Sequence, residues 1–174
     1  MTMTPWWRKF ALIAHVTASL GWFGAVAGFL ALAVVGLTSP DVQVVRGAYL
    51  SMGVLTSIVI VPFCLASLLT GLIQSLGTPW GLFRHYWVVA KLVLTVLSTL
   101  ILMLHTQPIY YLASVAAERS LGSADLRELR IQLLVDASAA LVVLIVATVL
   151  AVYKPRGKTR YGRRKEQKQS AGVS

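Results

Sequence analysis

The sequence predicts an all-α fold, an integral membrane four-helix bundle with an amphipathic segment between helices 3 and 4. Three observations carry this. Hydrophobic residues make up 57% of the 174, charged residues only 13%, and the mean hydropathy is +0.74. A soluble domain of this size needs far more charge on its surface. Four apolar runs, about 10–37, 48–76, 86–104 and 131–153, reach the roughly 20 residues that cross about 30 Å of hydrocarbon. These runs are continuous rather than alternating, which excludes a β-barrel.

The first run follows Arg8 and Lys9. Ala25-Val26-Ala27 resembles a small-x-small cleavage site, but the run continues to Leu37. That exceeds the h-region of about 7–15 residues in a signal peptide, so the segment reads as a retained helix. At about 100° per residue, Ala11, His15, Ala18, Trp22, Ala25 and Phe29 share one side. Gly24 and Gly28 have GxxxG spacing, suited to close helix packing and to a homo-oligomer through that face.

Thr38-Ser39-Pro40-Asp41 ends the helix, with Asp41 as N-cap of the next. The second span carries a polar stripe of Tyr49, Thr56, Phe63, Ser67, Thr70 and Gln74, and Pro62 predicts a kink. Cys64 is the sole cysteine, so no intrachain disulfide or CxxC motif exists, and it reads as a small hydrophobe. Gly77-Thr78-Pro79 and Gly81 separate the second and third spans.

On the third span Trp87, Lys91, Thr95, Ser98, Leu102 and His105 form one stripe. Lipid does not solvate a lysine, so the stripe should face the bundle interior. Pro108 is expected to close this span. Residues 109–130, with three charges of each sign, then read as an interfacial helix broken at Gly122-Ser123 and restarted by a Ser123 cap. The fourth span offers Gln132 and Asp136, with Ala139, Ala140, Val143 and Ala147 as a narrow contact face.

Residues 1–153 thus form the transmembrane domain, and 154–174 form a basic tail with eight Lys/Arg and one Glu, expected to be disordered. With four spans, both termini lie on one side together with Arg8, Lys9 and Arg84. The positive-inside rule makes that side cytoplasmic, at a cell inner membrane. Anionic lipid is the expected partner of the tail. Nucleic acid is not, because interleaved aromatics are lacking.

Depth sorts the ionisable groups into two layers. His15 and Lys91, with Gln74 nearby, lie about five residues inside the cytoplasmic boundary. His105 and Asp136, with Tyr49, lie near the outer end. The offset between the two histidines is roughly 21 Å at about 1.5 Å per residue, too far to share one iron. Each of these groups has a structural reading beside a functional one: mutual hydrogen bonding, helix–helix glue, or snorkelling of Lys91.

The segments HVTASLGWFG from His15, SLLTG from Ser67, GLFRHYW from Gly81 and Lys91-Leu92 resemble a family of small bacterial four-helix membrane proteins, and the likeness runs through Arg156. More distantly, the His15–Trp22-Phe23 opening and the Trp87, Lys91, His105 set resemble HemJ-type protoporphyrinogen oxidases. That resemblance implies heme b and porphyrinogen oxidation at a site with His15, Lys91 and His105. The loop holding only Asp41 and Arg46 departs from the basic loop of that family.

Three functions follow as expectations. One is a heme-binding redox protein, with His105 as axial ligand to iron, Asp136 orienting its ring, hydroxyls and Lys91 meeting the propionates, Trp22 and Phe29 packing the macrocycle, and Trp87 a further candidate at the cofactor. Another is a non-enzymatic membrane component or a transporter of protons or small solutes, with Lys91 and Asp136 as its polar groups. A third, a lipid-binding scaffold, places the emphasis on the basic tail. The sequence carries no nucleophile–base pair, phosphate loop or clustered metal motif.

Overall fold

A computed structural model describes residues 3–77, 81–118, 124–155 and 157–164. Five helical segments make four spans. They are α1 (Pro5–Thr38), α2 (Val42–Leu55) continued through a π-helical turn (Thr56–Ile60) into α3 (Val61–Gly77), α4 (Tyr86–Glu118) and α5 (Ala124–Tyr153). All four are long and apolar enough to cross a membrane, so this is a multi-pass helical bundle. The spans contain 28 to 36 residues. At about 1.5 Å per residue that is roughly 42–54 Å, so each overshoots the hydrocarbon.

Local chemistry sets the boundaries. Pro5 occupies the first turn of α1, where its missing N–H is not needed. Asp41 caps α2 by accepting from the Gln43 N–H at 2.8 Å. The kink expected at Pro62 takes the form of the π turn just before it. There the Val61 N–H donates to the Thr56 carbonyl, a wider loop that accommodates the donor Pro62 lacks.

Pro108 does not end the third span. α4 runs through it to Glu118, because Ile109, Leu112 and Ala116 continue the buried face. The separate interfacial helix expected over 109–130 is therefore divided between α4 and the start of α5. Burial on the bundle outweighs the one ladder hydrogen bond that Pro108 removes. Thr78-Pro79, Arg119, the Gly122-Ser123 break with its cap, Arg156 and residues 165–174 lie outside the described residues.

α1 and α4 sit across the bundle, each packed on the α2–α3 span and on α5. The predicted face of α1 is the buried one: Ala18, Trp22, Ala25 and Phe29 all point inward. On α5 the seam is Leu133 and Ala137, with Ala140 and Leu144 beside them. Ala139, expected on that seam, is exposed. Glycine marks the closest approaches. A Cβ on Gly21 would meet the Phe63 ring at 2.7 Å, and one on Gly36 would meet the Tyr49 ring at 2.7 Å. Gly24 is exposed, with nothing within 4 Å of such a Cβ.

The two halves of the bundle differ in packing. At one end the α1–α2 hairpin is held tightly by Tyr49, Met52, Leu112 and Leu133, all nearly inaccessible. At the other end, where α1 starts and α5 finishes, α3 buries nothing fully beyond Ser67 and α5 nothing beyond Ala137. The first is the hairpin end and the second the terminal end.

The start of the basic tail is not free. The Thr159 N–H donates to the Arg84 carbonyl at 3.0 Å, and the Tyr86 N–H donates to the Gly157 carbonyl at 3.3 Å. Residues 160–164 then form a short helical turn. Backbone pairing, which composition cannot reveal, docks this stretch on the turn before α4.

Candidate functional site

Among the described residues, two polar clusters inside the bundle are built on a histidine. The first joins α1 to α3. His15 Nδ1 lies 3.1 Å from the Ser67 carbonyl and 3.1 Å from Thr70 Oγ1. A carbonyl only accepts, and the Thr70 hydroxyl donates its own proton to the Ala66 carbonyl at 2.6 Å. Both partners thus act as acceptors, which assigns the imidazole proton to Nδ1 and the lone pair to Nε2. Nε2 makes no hydrogen bond among the described residues. Ser19 and Ser67 share a hydroxyl hydrogen bond of 2.8 Å one turn away. The ring itself lies over Gly71, where a Cβ would stand 3.1 Å from Cε1.

Lys91 belongs to this neighbourhood. It is half-buried, and its ammonium interacts electrostatically with His15 and with Lys154. Gln74 is half-buried on the same stretch of α3. Trp87 lies near the start of α4, its ring 6.5 Å from that of His85. Trp22 lies deeper, buried in the core with Phe29.

The second place joins α4 to α5. His105 Nδ1 donates to the Ile101 carbonyl one turn back at 2.8 Å. Its Nε2 is 3.1 Å from Asp136 Oδ2 and 3.3 Å from the Gln132 side-chain nitrogen. Asp136 Oδ2 is shielded from solvent, and its contact with Nε2 is ion-pair close but not aligned as a hydrogen bond. The sequence paired His105 with Asp136 by depth, and the structure places them in contact. Asp136 faces Nε2, however, and the backbone orients Nδ1.

The expected separation of the layers also holds. Cys64 Sγ and Thr99 Oγ1, 3.2 Å apart, put those two positions of α3 and α4 at one level. His105 lies six residues beyond Thr99, and the His15 partners Ser67 and Thr70 lie three to six residues from Cys64 in the opposite direction. At about 1.5 Å per residue the two imidazoles are roughly 16 Å apart along the bundle. Among the described residues no three His, Cys, Asp or Glu side chains converge as a metal site.

Three contacts were not foreseen. Arg130, expected in an interfacial helix, donates from Nε to the Tyr49 hydroxyl at 2.7 Å and from its guanidinium to the Gly36 carbonyl. Arg46 donates to the Ala117 carbonyl at 2.8 Å. Each places a cation on the last carbonyls of a neighbouring helix, α1 and α4 respectively, where the helix dipole favours it. Tyr49 therefore belongs to a structural clamp rather than to the His105 layer. The third is the Cys64–Thr99 pair, buried between the layers. A signal was available for the arginines, since both lie within a few residues of a helix end.

Comparison with protein-family models, curated proteins and solved structures returns no match.

Proposed function

We propose that this protein is a multi-pass membrane component that takes up and releases protons at the His105–Asp136 pair. It would serve proton or proton-coupled solute movement, with both termini cytoplasmic in a cell inner membrane. One observation carries the reading: two atoms that can each present a lone pair, His105 Nε2 and Asp136 Oδ2, stand 3.1 Å apart inside a span. They repel unless a proton lies between them. Nδ1 already spends its proton on the Ile101 carbonyl, so any added proton goes to this contact. When Nε2 is bare it accepts from the Gln132 amide. When protonated, it donates to Asp136. Proton uptake thus exchanges one α5 partner for another a turn away, which ties the proton to the α4–α5 contact. A His–carboxylate pair at membrane depth is the usual chemistry of a proton relay.

Proteoliposomes loaded with a pH-sensitive dye and given a potassium diffusion potential test this. Asp136→Asn and His105→Gln should each lower proton flux at least about tenfold, as expected when a positioned proton carrier is lost. His15→Gln should leave most of it. Flux no greater than in empty liposomes, or equal flux in all variants, would reject the reading. Reporter fusions at Ser174 and Pro40 test the orientation, with a cytoplasmic Ser174 and an external Pro40 expected.

A second reading, heme b, is supported at His15 more than at His105. An iron-binding histidine presents a bare Nε2 while Nδ1–H is fixed by a carbonyl. His15 has that arrangement with Ser67, whereas both nitrogens of His105 are engaged. His15 would hold the iron, and Lys91 would supply a cation for a propionate. Bound heme would supply one-electron chemistry. A Soret band lost in His15→Ala and kept in His105→Ala supports this second reading. A purified protein without a Soret band, after expression with added heme precursor, removes it.

A further inference from the structure

The terminal end gathers positive charge. Among the described residues, nine of the twelve Lys/Arg belong to it (Arg8, Lys9, Arg84, Lys91, Lys154, Lys158, Arg160, Arg163 and Arg164), and no acidic residue does. In a free tail such charges would spread apart to relieve their repulsion. Here the chain does the opposite. Residues 157–164 fold back onto the turn before α4, bringing Lys158, Arg160, Arg163 and Arg164 beside Arg84 and the start of α4.

The docking is specific. Besides the two backbone bonds already given, Thr159 Oγ1 donates to the Phe83 carbonyl and accepts from the Gly162 N–H at 3.1 Å. Gly162 is buried against this turn, and a Cβ there would meet the Arg84 carbonyl oxygen at 2.5 Å. With Gly162 facing inward, Arg160, Arg163 and Arg164 are exposed. A segment held by backbone hydrogen bonds thus presents its guanidinium groups outward as a set.

The depth of the segment is marked independently. Trp6, Trp7, Phe83, Tyr86, Tyr153 and Tyr161 are all exposed large aromatics at this end. Aromatic rings gather where hydrocarbon meets headgroups. The docked segment therefore lies at headgroup level, where phosphate is the abundant anion.

We propose that residues 157–164, docked on the 83–86 turn, form a strap that binds anionic phospholipid headgroups, and that those lipids stabilise the docked state. Guanidinium groups suit the task because each forks onto two phosphate oxygens. The proposal is independent of the proton chemistry at His105.

Hydrogen exchange of the full chain in nanodiscs tests it, read by mass spectrometry on peptides spanning 157–164. In phosphatidylglycerol discs the Thr159 and Arg163 amides should exchange at least about fivefold more slowly than in phosphatidylcholine discs, with the difference shrinking at high salt. Arg160→Ala/Arg163→Ala/Arg164→Ala should remove the lipid dependence. Gly162→Val should abolish protection in both discs while the four spans stay protected. Equal protection in both lipids, or protection restored in phosphatidylcholine by inorganic phosphate alone, overturns the lipid assignment. Persistent protection in Gly162→Val overturns the docked geometry itself.

Discussion

His15 and His105 are the same side chain in the same kind of helix, and each fixes Nδ1–H on a backbone carbonyl. They differ in what reaches Nε2. At His105, Asp136 and Gln132 compete for it from α5. At His15, no described side chain does so, and Lys91 adds a positive charge nearby. The surroundings differ as well: His15 lies in the loosely packed terminal half, while His105 lies toward the well-packed hairpin half. The comparison teaches that a histidine's chemistry is set by the second nitrogen. A carboxylate there favours proton exchange, and an open lone pair favours a ligand.

The largest effect that can break this contrast comes from the protons themselves. Nitrogen-15 spectra of histidine-labelled protein should show His15 as the Nδ1–H tautomer while His105 alone responds to Asp136→Leu. If Asp136→Leu leaves the His105 signals unchanged, or shifts both histidines alike, the contrast fails. A steric test ranks next. Gly71→Val pushes a side chain against His15 Cε1, which a Cβ would approach at 3.1 Å, and should destabilise the bundle by about 1–3 kcal/mol. Gly24→Val, with open space around it, should shift the thermal midpoint little. Equal losses would show that Gly24 packs against something too, for instance a second copy through the Gly24/Gly28 face.

Smaller effects sharpen the His15 side. Thr70→Val removes one of two acceptors from Nδ1 and should cost about 0.6–1 kcal/mol, because the Ser67 carbonyl remains. A loss beyond about 2 kcal/mol would mean that Thr70 holds the ring by itself. Cys64→Ser is the mildest: it keeps a hydrogen-bonding partner for Thr99 at nearly constant volume, so proton flux and histidine spectra should not change. A change in either would mean that the two layers communicate through the Cys64–Thr99 contact.

Much of the fold was legible in the residues, and the reason is the solvent. Lipid forces every span to be apolar and helical, so run length and composition locate four helices without tertiary information. It also forces polar groups inward, which is why the Ala18–Trp22–Ala25–Phe29 face and the Thr56 and Ser67 stripe were readable from spacing and are buried. The pairing of His105 with Asp136 followed from depth, since two groups at one level in a narrow bundle have few partners available.

Other features depended on contacts between segments distant in sequence. Nothing local says that α4 continues past Pro108, that Arg130 reaches the Gly36 carbonyl, or that Gly162 settles on Arg84. The sequence by itself determined the class of protein, the four spans and the two polar layers, because one-dimensional periodicity and hydrophobicity encode them. The tertiary structure alone decided which nitrogen of each histidine meets which partner, because an imidazole's chemistry depends on ångström-scale placement that no spacing rule contains.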